Sequence, residues 1–260
     1  MMRFMAACRL AQPGARSIKW DAMIQFSLFG VRVSIHPTLW LTLAFLGGAF
    51  MISSVVELFS VLLFILAAFV VLLAHEMGHA LVGRKLGGGQ PYVYLAWLGG
   101  DCMNEAARLT RRQGVVMTAC GPLFSALVGA SAFVLMGAYV GDFGRAAAYA
   151  AQFVQGYMPA EAVMSYPPLA MFLFFFLIEV SCWWTLLNLL PVFPLDGGQI
   201  MQGLMKSPRQ VHGISLVAAL AVAGFAVVVH LWLLCIFMVL LAVLNHKLRQ
   251  ETHSGGTDFH

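Results

Sequence analysis

Charged residues are scarce in this chain: Asp, Glu, Lys and Arg make up 10% of 260 residues, whereas 61% are hydrophobic. Soluble domains carry roughly 25% charged residues, so a soluble fold of this size could not cover so much apolar surface. The composition therefore predicts an integral membrane protein in a lipid bilayer. Basic loops on one side of the membrane account for the net charge of +4, which does not indicate a nucleic-acid partner.

Regularly spaced cysteines and a signal peptide are also lacking. The five cysteines include no C-x-x-C pair, which argues against a disulfide framework and against a cysteine zinc site. Arg9 interrupts the apolar residues near the N-terminus, so this region does not resemble a signal peptide. We expect residues 1–22 to be a disordered leader, or Met23 to be the true start instead of Met1.

Long apolar runs are what the chain does have, and they predict about six transmembrane helices, since each needs about 20 mostly apolar residues. The expected spans cover residues 39–56, 58–83, 115–140, 169–190, 213–229 and 231–245. The last two divide one apolar stretch near His230. A single span there is the alternative, because no Gly or Pro marks a turn.

The basic residues indicate how these spans are oriented. With the N-terminus inside, all of the 15 Lys and Arg residues except Arg145 fall in cytoplasmic segments. This bias predicts a multi-pass protein with both termini in the cytoplasm, which we expect to lie in a bacterial inner membrane. The membrane domain would cover residues 23–246, followed by a disordered cytoplasmic tail over 247–260.

Two short stretches, residues 24–35 and 90–100, do not have the pattern of spanning helices. They are rich in β-branched and aromatic residues, and glycines bound the second one. This composition is typical of strands at the membrane surface. Interfacial loops anchored by Tyr and Trp are the alternative.

The stretch "HEMGH" places three ionisable groups at the end of an apolar run, where charge is costly. His75 and His79 are four residues apart, so on a helix both imidazoles share one face and can bind one metal ion. Glu76 lies next to them and could take a proton from a water molecule that the metal activates. A pair of core histidines bonded to neighbouring helices is the structural alternative.

Two histidines leave a catalytic zinc ion one protein ligand short. The best candidate is Asp196 in "NLLPVFPLDGG", where Pro191 and Pro194 break the helix and two glycines allow a sharp turn. An Asp before Gly-Gly is usually only a turn. With an H-E-x-x-H motif in the membrane, a ligand becomes the better interpretation.

At this point the chain resembles a known family. "HEMGHALVGRKLG" and "NLLPVFPLDGG" are similar to the paired motifs of the site-2 protease family of intramembrane zinc metalloproteases, peptidase family M50. "ACGPLFSALVGA" resembles the family's Gly-Pro segment, with Ser125 in place of the usual Asn. The outside loop over 138–168 is too short for a PDZ domain and the tail is too short for a CBS pair, so we expect a minimal member.

The resemblance implies an all-α polytopic fold with a small membrane-associated β-sheet on the cytoplasmic side. It implies one zinc ion held by His75, His79 and Asp196, with Glu76 as general base. The sheet would receive an unwound segment of a single-span membrane-protein substrate. Candidate substrate contacts are Asn188, Gly99 and Gly100, although Asn188 could equally link two helices.

Glu179 lies in the middle of an apolar segment, and an intramembrane carboxylate marks a candidate functional site. It precedes Asp196 by about 25 Å of helix rise, so we do not expect it to bind zinc. A hydrogen-bonded packing role or a solvent cavity are the alternatives. Four further histidines lie near expected helix ends, and we expect none of them to bind zinc: His36, His212, His230 and His246.

Cleavage of a transmembrane substrate near the cytoplasmic face is thus the expected function. A metal transporter is one alternative, and a catalytically inactive homologue that regulates membrane partners is another. We expect the substrate to be selected by the membrane core itself or by a partner protein, and a regulatory partner or a homo-oligomer are the further candidate partners.

Overall fold

The computed structural model describes residues 23–97, 99–104 and 108–254, so the leader over 1–22 and the end of the tail lie outside the described residues. Five helices are long and apolar enough to cross a membrane. They are α2 (Val55–Gly87), α3 (Arg111–Val140), α6 (Pro168–Leu189), α8 (Pro208–Val228) and α9 (Trp232–Ser254). The shorter helices are α1 (Pro37–Leu46), α4 (Phe143–Phe153), α5 (Ala160–Ser165) and α7 (Asp196–Leu204).

The first expected span, residues 39–56, is wrong as a continuous transmembrane helix. Helix α1 has only 10 residues, which is about 15 Å of helix rise. Its C-cap residue is Gly47, where a Cβ would lie 2.8 Å from the Phe64 ring of α2. Gly48 then takes a φ of 80° and leads into a 3-10 turn. Two adjacent glycines thus stop the helix despite its apolar sequence.

The two stretches that were candidate strands are β-hairpins rather than interfacial loops. The first comprises β1 (Ile24–Leu28) and β2 (Val31–Ile35), and the second comprises β3 (Tyr92–Ala96) and β4 (Gly99–Met103). The sheet order is β1-β2-β3-β4, with β2 and β3 parallel and both hairpins antiparallel. Because β2 and β3 pair, the chain leaves the sheet along α1 and returns to it along α2.

Local sequence explains where helices α2 and α3 begin. Ser54 and Glu57 form a capping box at the start of α2, and Thr110 and Gln113 form another at the start of α3. Each pair satisfies backbone N–H groups that have no partner within the helix. At the other end of α2, Arg84 donates to the carbonyl of Phe29 at 3.0 Å and ties the helix to the first hairpin.

Helices α4 and α5 occupy the loop expected over 138–168, and α4 folds back against the bundle. The ring of Phe153 lies 5.3 Å from that of Phe175 in α6. Trp183 Nε1 donates to the Val154 carbonyl at 2.8 Å. Trp183 is fifteen residues beyond Pro168, about 22 Å along α6, so the end of α4 packs beside the half of α6 that leads to Asp196.

Buried apolar residues form three clusters. One joins the sheet to α1 and α2, a second joins α3, α4 and α6, and a third lies between α8 and α9. The apolar stretch over 213–245 is two helices, and His230 between them has a φ of 60°. Helix α9 continues to Ser254, so the described part of the expected tail is helical rather than disordered.

Candidate metal centre

Two imidazoles meet on the face of α2 that is buried in the bundle. His75 and His79 are 3% and 8% exposed, and their Nε2 atoms lie 3.2 Å apart. Helix α3 approaches closely here because Gly121 has no side chain, and a Cβ there would overlap the His79 ring. Gly78 likewise lets the Cys120 carbonyl approach the α2 backbone.

Asp196 is brought to these histidines by the break after α6. The chain turns through Pro191 and Pro194, and Asp196 is the first residue of α7. Its Oδ2 atom lies 2.9 Å from His75 Nε2 and 3.4 Å from His79 Nε2. The structure therefore places the three predicted ligands together, although Asp196 is 117 residues after His79 in the chain.

The glycines after Asp196 serve close packing rather than an unusual backbone turn. Neither Gly197 nor Gly198 has a positive φ, and both lie in the first turn of α7. A Cβ on Gly197 would overlap the carbonyls of Leu189 and Leu190, and one on Gly198 would overlap the backbone at Phe193. The expectation of a glycine-enabled sharp turn is thus corrected: the glycines let α7 dock on the preceding segment.

Polar residues of α8 and α9 hold that segment on both sides of Phe193. Ser215 accepts a hydrogen bond from the Phe193 N–H at 3.0 Å. Asn245 donates to the Phe193 carbonyl at 2.6 Å and lies 3.0 Å from His212 Nδ1. Ser215 and Asn245 are fully buried. These three side chains, which we call the Phe193 clamp, fix the backbone three residues before Asp196.

The far end of α7 is held by the start of α3. Arg111 donates to the carbonyl of Gln202 at 3.1 Å and also to that of Met205. A Cβ at Gly203 would overlap Val115 of α3. An arginine on the last carbonyls of a helix satisfies groups that lack a partner within the helix. Helix α7 is therefore anchored at both ends, with Asp196 at the buried one.

The hydrogen bond of His79 indicates which ring nitrogen is free. His79 Nδ1 lies 3.0 Å from the Met117 carbonyl, and a carbonyl can only accept, so Nδ1 carries the proton. Nε2 then presents its lone pair to the cluster. Metal-binding histidines typically donate their second nitrogen in this way, which fixes ring orientation.

The cluster fits a zinc ion. Two imidazole nitrogens and a carboxylate oxygen, all electron-pair donors, face one another within 3.4 Å and would repel without a cation or proton among them. Zinc bonds of about 2.0–2.1 Å put tetrahedral ligand atoms about 3.3 Å apart. No further group of three such ligands occurs among residues 23–97, 99–104 and 108–254.

Glu76 lies beneath the edge of the sheet. It is 6% exposed, and a Cβ at Gly100 of β4 would come within 2.5 Å of its Cγ. Gly99 faces open space instead. Asn188 is buried near the end of α6 and donates to the Trp184 carbonyl of its own helix at 3.0 Å. Gly100 is thus the candidate substrate contact that touches Glu76.

Several supporting residues were not found from the sequence. Ser125 is buried and lies 2.9 Å from the Thr185 hydroxyl, so it links α3 to α6. His212 belongs to the Phe193 clamp, a role that the sequence did not indicate. Its partners are far away in the chain, and the nearest signal is Asn245, a polar residue at the end of the apolar part of α9.

Known proteins match this chain in sequence and in fold. Residues 63–233 match the model of peptidase family M50. The chain is 25% identical over 181 residues to zinc metalloprotease MJ0392 of Methanocaldococcus jannaschii, a match covering 70% of this chain and 44% of that relative. The chain thus spans less than half of that relative's length. The fold resembles the site-2 protease from Methanocaldococcus jannaschii, with a TM-score of 0.52, 20% identity and coverage of 87% of this chain and 95% of that one.

Proposed function

The chain belongs to peptidase family M50, and we propose that it is a zinc metalloprotease that hydrolyses a peptide bond in or near a transmembrane segment of another membrane protein. The observation that carries this proposal is the buried cluster of His75, His79 and Asp196 with Glu76 beside it. A structural pair of histidines does not account for a third donor from a distant helix. Nor does it account for the acid that lies next to the pair.

The roles of the four residues follow from their chemistry. His75, His79 and Asp196 would hold the zinc ion. When bound, zinc polarises a carbonyl group and lowers the pKa of a water molecule toward neutrality. Glu76 takes a proton from the attacking water and delivers it to the leaving amine. Gly100 of β4 packs against the Glu76 side chain and fixes its position.

Strand β4 is the surface we propose for the substrate backbone. It pairs with β3 on one side, and no strand pairs with its other edge among the described residues. An unwound substrate segment can add to such an edge through main-chain hydrogen bonds. Contact between Gly100 and Glu76 puts β4, rather than the opposite edge strand β1, next to the reacting groups.

The sheet and the basic residues support a proposal for the orientation of the chain. Arg84, Lys85 and Arg108 lie at the sheet end of α2, and basic residues favour the cytoplasmic side. We therefore propose cleavage near the cytoplasmic face, with both termini in the cytoplasm of a bacterial cell. Release of a cytoplasmic or membrane-bound regulator from a single-span substrate would be the biological outcome.

The test is Glu76→Gln in the full chain, co-expressed with a single-span model substrate. The variant should retain zinc, measured by mass spectrometry of the purified protein, and should not cleave. A chelator should abolish cleavage by the unaltered protein, and added zinc should restore it. Cleavage by Glu76→Gln at the normal rate would refute the mechanism, and zinc flux into proteoliposomes with no cleavage would indicate a transporter.

A further inference from the structure

A groove on the surface of α6 leads from the middle of the bundle toward the metal centre. Its volume is about 260 Å³. The lining residues are Phe64 of α2 and, from α6, Glu179, Val180, Trp183, Trp184 and Leu187. The ring of Trp184 is 6.1 Å from that of His75, so the inner end of the groove adjoins the candidate zinc ligands.

Glu179 is the one charged residue in the sequence of α6 and lies near its midpoint. Its carboxylate receives no hydrogen bond and joins no ion pair with another described residue. In the turn after α4, a Cβ at Gly156 would lie 3.4 Å from Glu179 Oε1. An acid at this depth is costly without a partner, and such residues usually mark a functional site.

A second polar group in the groove also lacks a partner. Trp184 Nε1 is buried, and no described residue accepts its hydrogen bond. By contrast, the neighbouring Trp183 Nε1 donates to the Val154 carbonyl. The groove therefore offers an acceptor, Glu179, and a donor, Trp184, on an otherwise apolar surface. A buried polar group without a partner is destabilising, so a ligand that satisfies both groups gains affinity.

We propose that this groove binds the transmembrane helix of the substrate, and that Glu179 selects substrates that carry a basic side chain at the matching depth. The inference rests on the proposed protease function. An apolar helix fits the Phe64, Val180 and Leu187 surface, and its lysine or arginine pairs with Glu179. Where the helix unwinds near the metal centre, a freed backbone carbonyl accepts from Trp184 Nε1.

The position of the basic residue follows from the helix geometry. Glu179 precedes Trp184 by five residues, about 7.5 Å along α6. A helical substrate segment covers that distance in about five residues. We therefore expect the basic residue about five residues from the point where the substrate enters the site, on the side away from the sheet.

The experiment uses a single-span Leu/Ala helix with one lysine moved through successive positions, and a leucine-only helix for comparison. Lysine at the matching depth should raise kcat/KM about 3- to 20-fold, the range of interhelical hydrogen bonds in membranes. Glu179→Gln should remove this preference, and Glu179→Lys should favour an aspartate there. Ser181→Ala is the matched control, since Ser181 lies on α6 but packs against Gly129 of α3.

A binding measurement separates this inference from the proposed function. A photo-crosslinker replaces Phe64 in the Glu76→Gln background, where cleavage is absent by design. Crosslinking that prefers the lysine helix supports the groove even if the unaltered protein cleaves nothing, in which case only the protease function fails. Normal cleavage with no lysine preference, or with a preference that survives Glu179→Gln, overturns the role of Glu179, and the protease function stands.

Discussion

Removing the Ser215 hydroxyl, which contacts Phe193 rather than a candidate zinc ligand, should weaken zinc binding, because the Phe193 clamp holds the segment that carries Asp196. In Ser215→Ala the Phe193 N–H loses its acceptor at 3.0 Å. A buried backbone donor left unpaired costs about 1–3 kcal/mol. If that energy favours an undocked segment, zinc affinity falls about 5- to 150-fold. Residues that orient metal ligands typically change metal affinity about 10- to 100-fold, which lies within that range.

The assay is competition for zinc between a chelator and the protein purified in detergent. Ser125→Ala is the matched control, since Ser125 is also fully buried and hydrogen-bonded but links α3 to α6 rather than holding the Asp196 segment. It should destabilise the bundle by a similar amount and leave zinc affinity within about threefold. The reasoning is refuted if Ser215→Ala binds zinc normally, or if both variants lose zinc equally.

Two further predictions concern glycines that touch the centre. Gly121→Ala should weaken zinc binding more than tenfold, because the new Cβ would overlap the His79 ring. Overpacking of this kind costs about 1–3 kcal/mol or more. Unchanged zinc content would contradict this prediction. Gly100→Ala should keep zinc but lower kcat about 100-fold with little change in KM. The new Cβ would displace the Glu76 side chain, and misplacing a catalytic group by about 1 Å can lower the rate about 100-fold. Gly114→Ala on α3, where a Cβ also faces open space, should behave like the unaltered protein, so equal losses at Gly100 and Gly114 would contradict the steric account.

Short-range sequence patterns predicted much of the geometry of the candidate metal centre. The spacing of His75 and His79 depends only on the period of a helix, and α2 brings their Nε2 atoms within 3.2 Å. Helical spacing alone could not predict that Asp196 joins them, because its approach depends on how the segment broken by Pro191 and Pro194 folds back. The motif indicated that residue, and the structure places it beside both histidines. The roles of Asn188 and Gly99 remain predictions.

Features that depend on distant partners were not predictable in the same way. His212 and Asn245 meet across two helices, and neither has a local pattern that indicates the other. The early end of α1 depends on the packing of Gly47 against Phe64, while hydropathy alone favours a longer span. Helix α4 was missed because its alanine-rich sequence is compatible with an exposed loop region, and its burial depends on Phe175 of α6.

The parallel pairing of β2 with β3 has a consequence for the order in which the chain assembles. These strands lie on either side of α1 and α2 in the chain, and parallel partners can meet only after the whole connection between them is in place. Until then β3, on which β4 pairs, has no partner in the first hairpin. Asp196 follows His79 by 117 residues, so it is made after both histidines. The candidate metal centre is therefore complete only once α7 has been made and has docked beside α2.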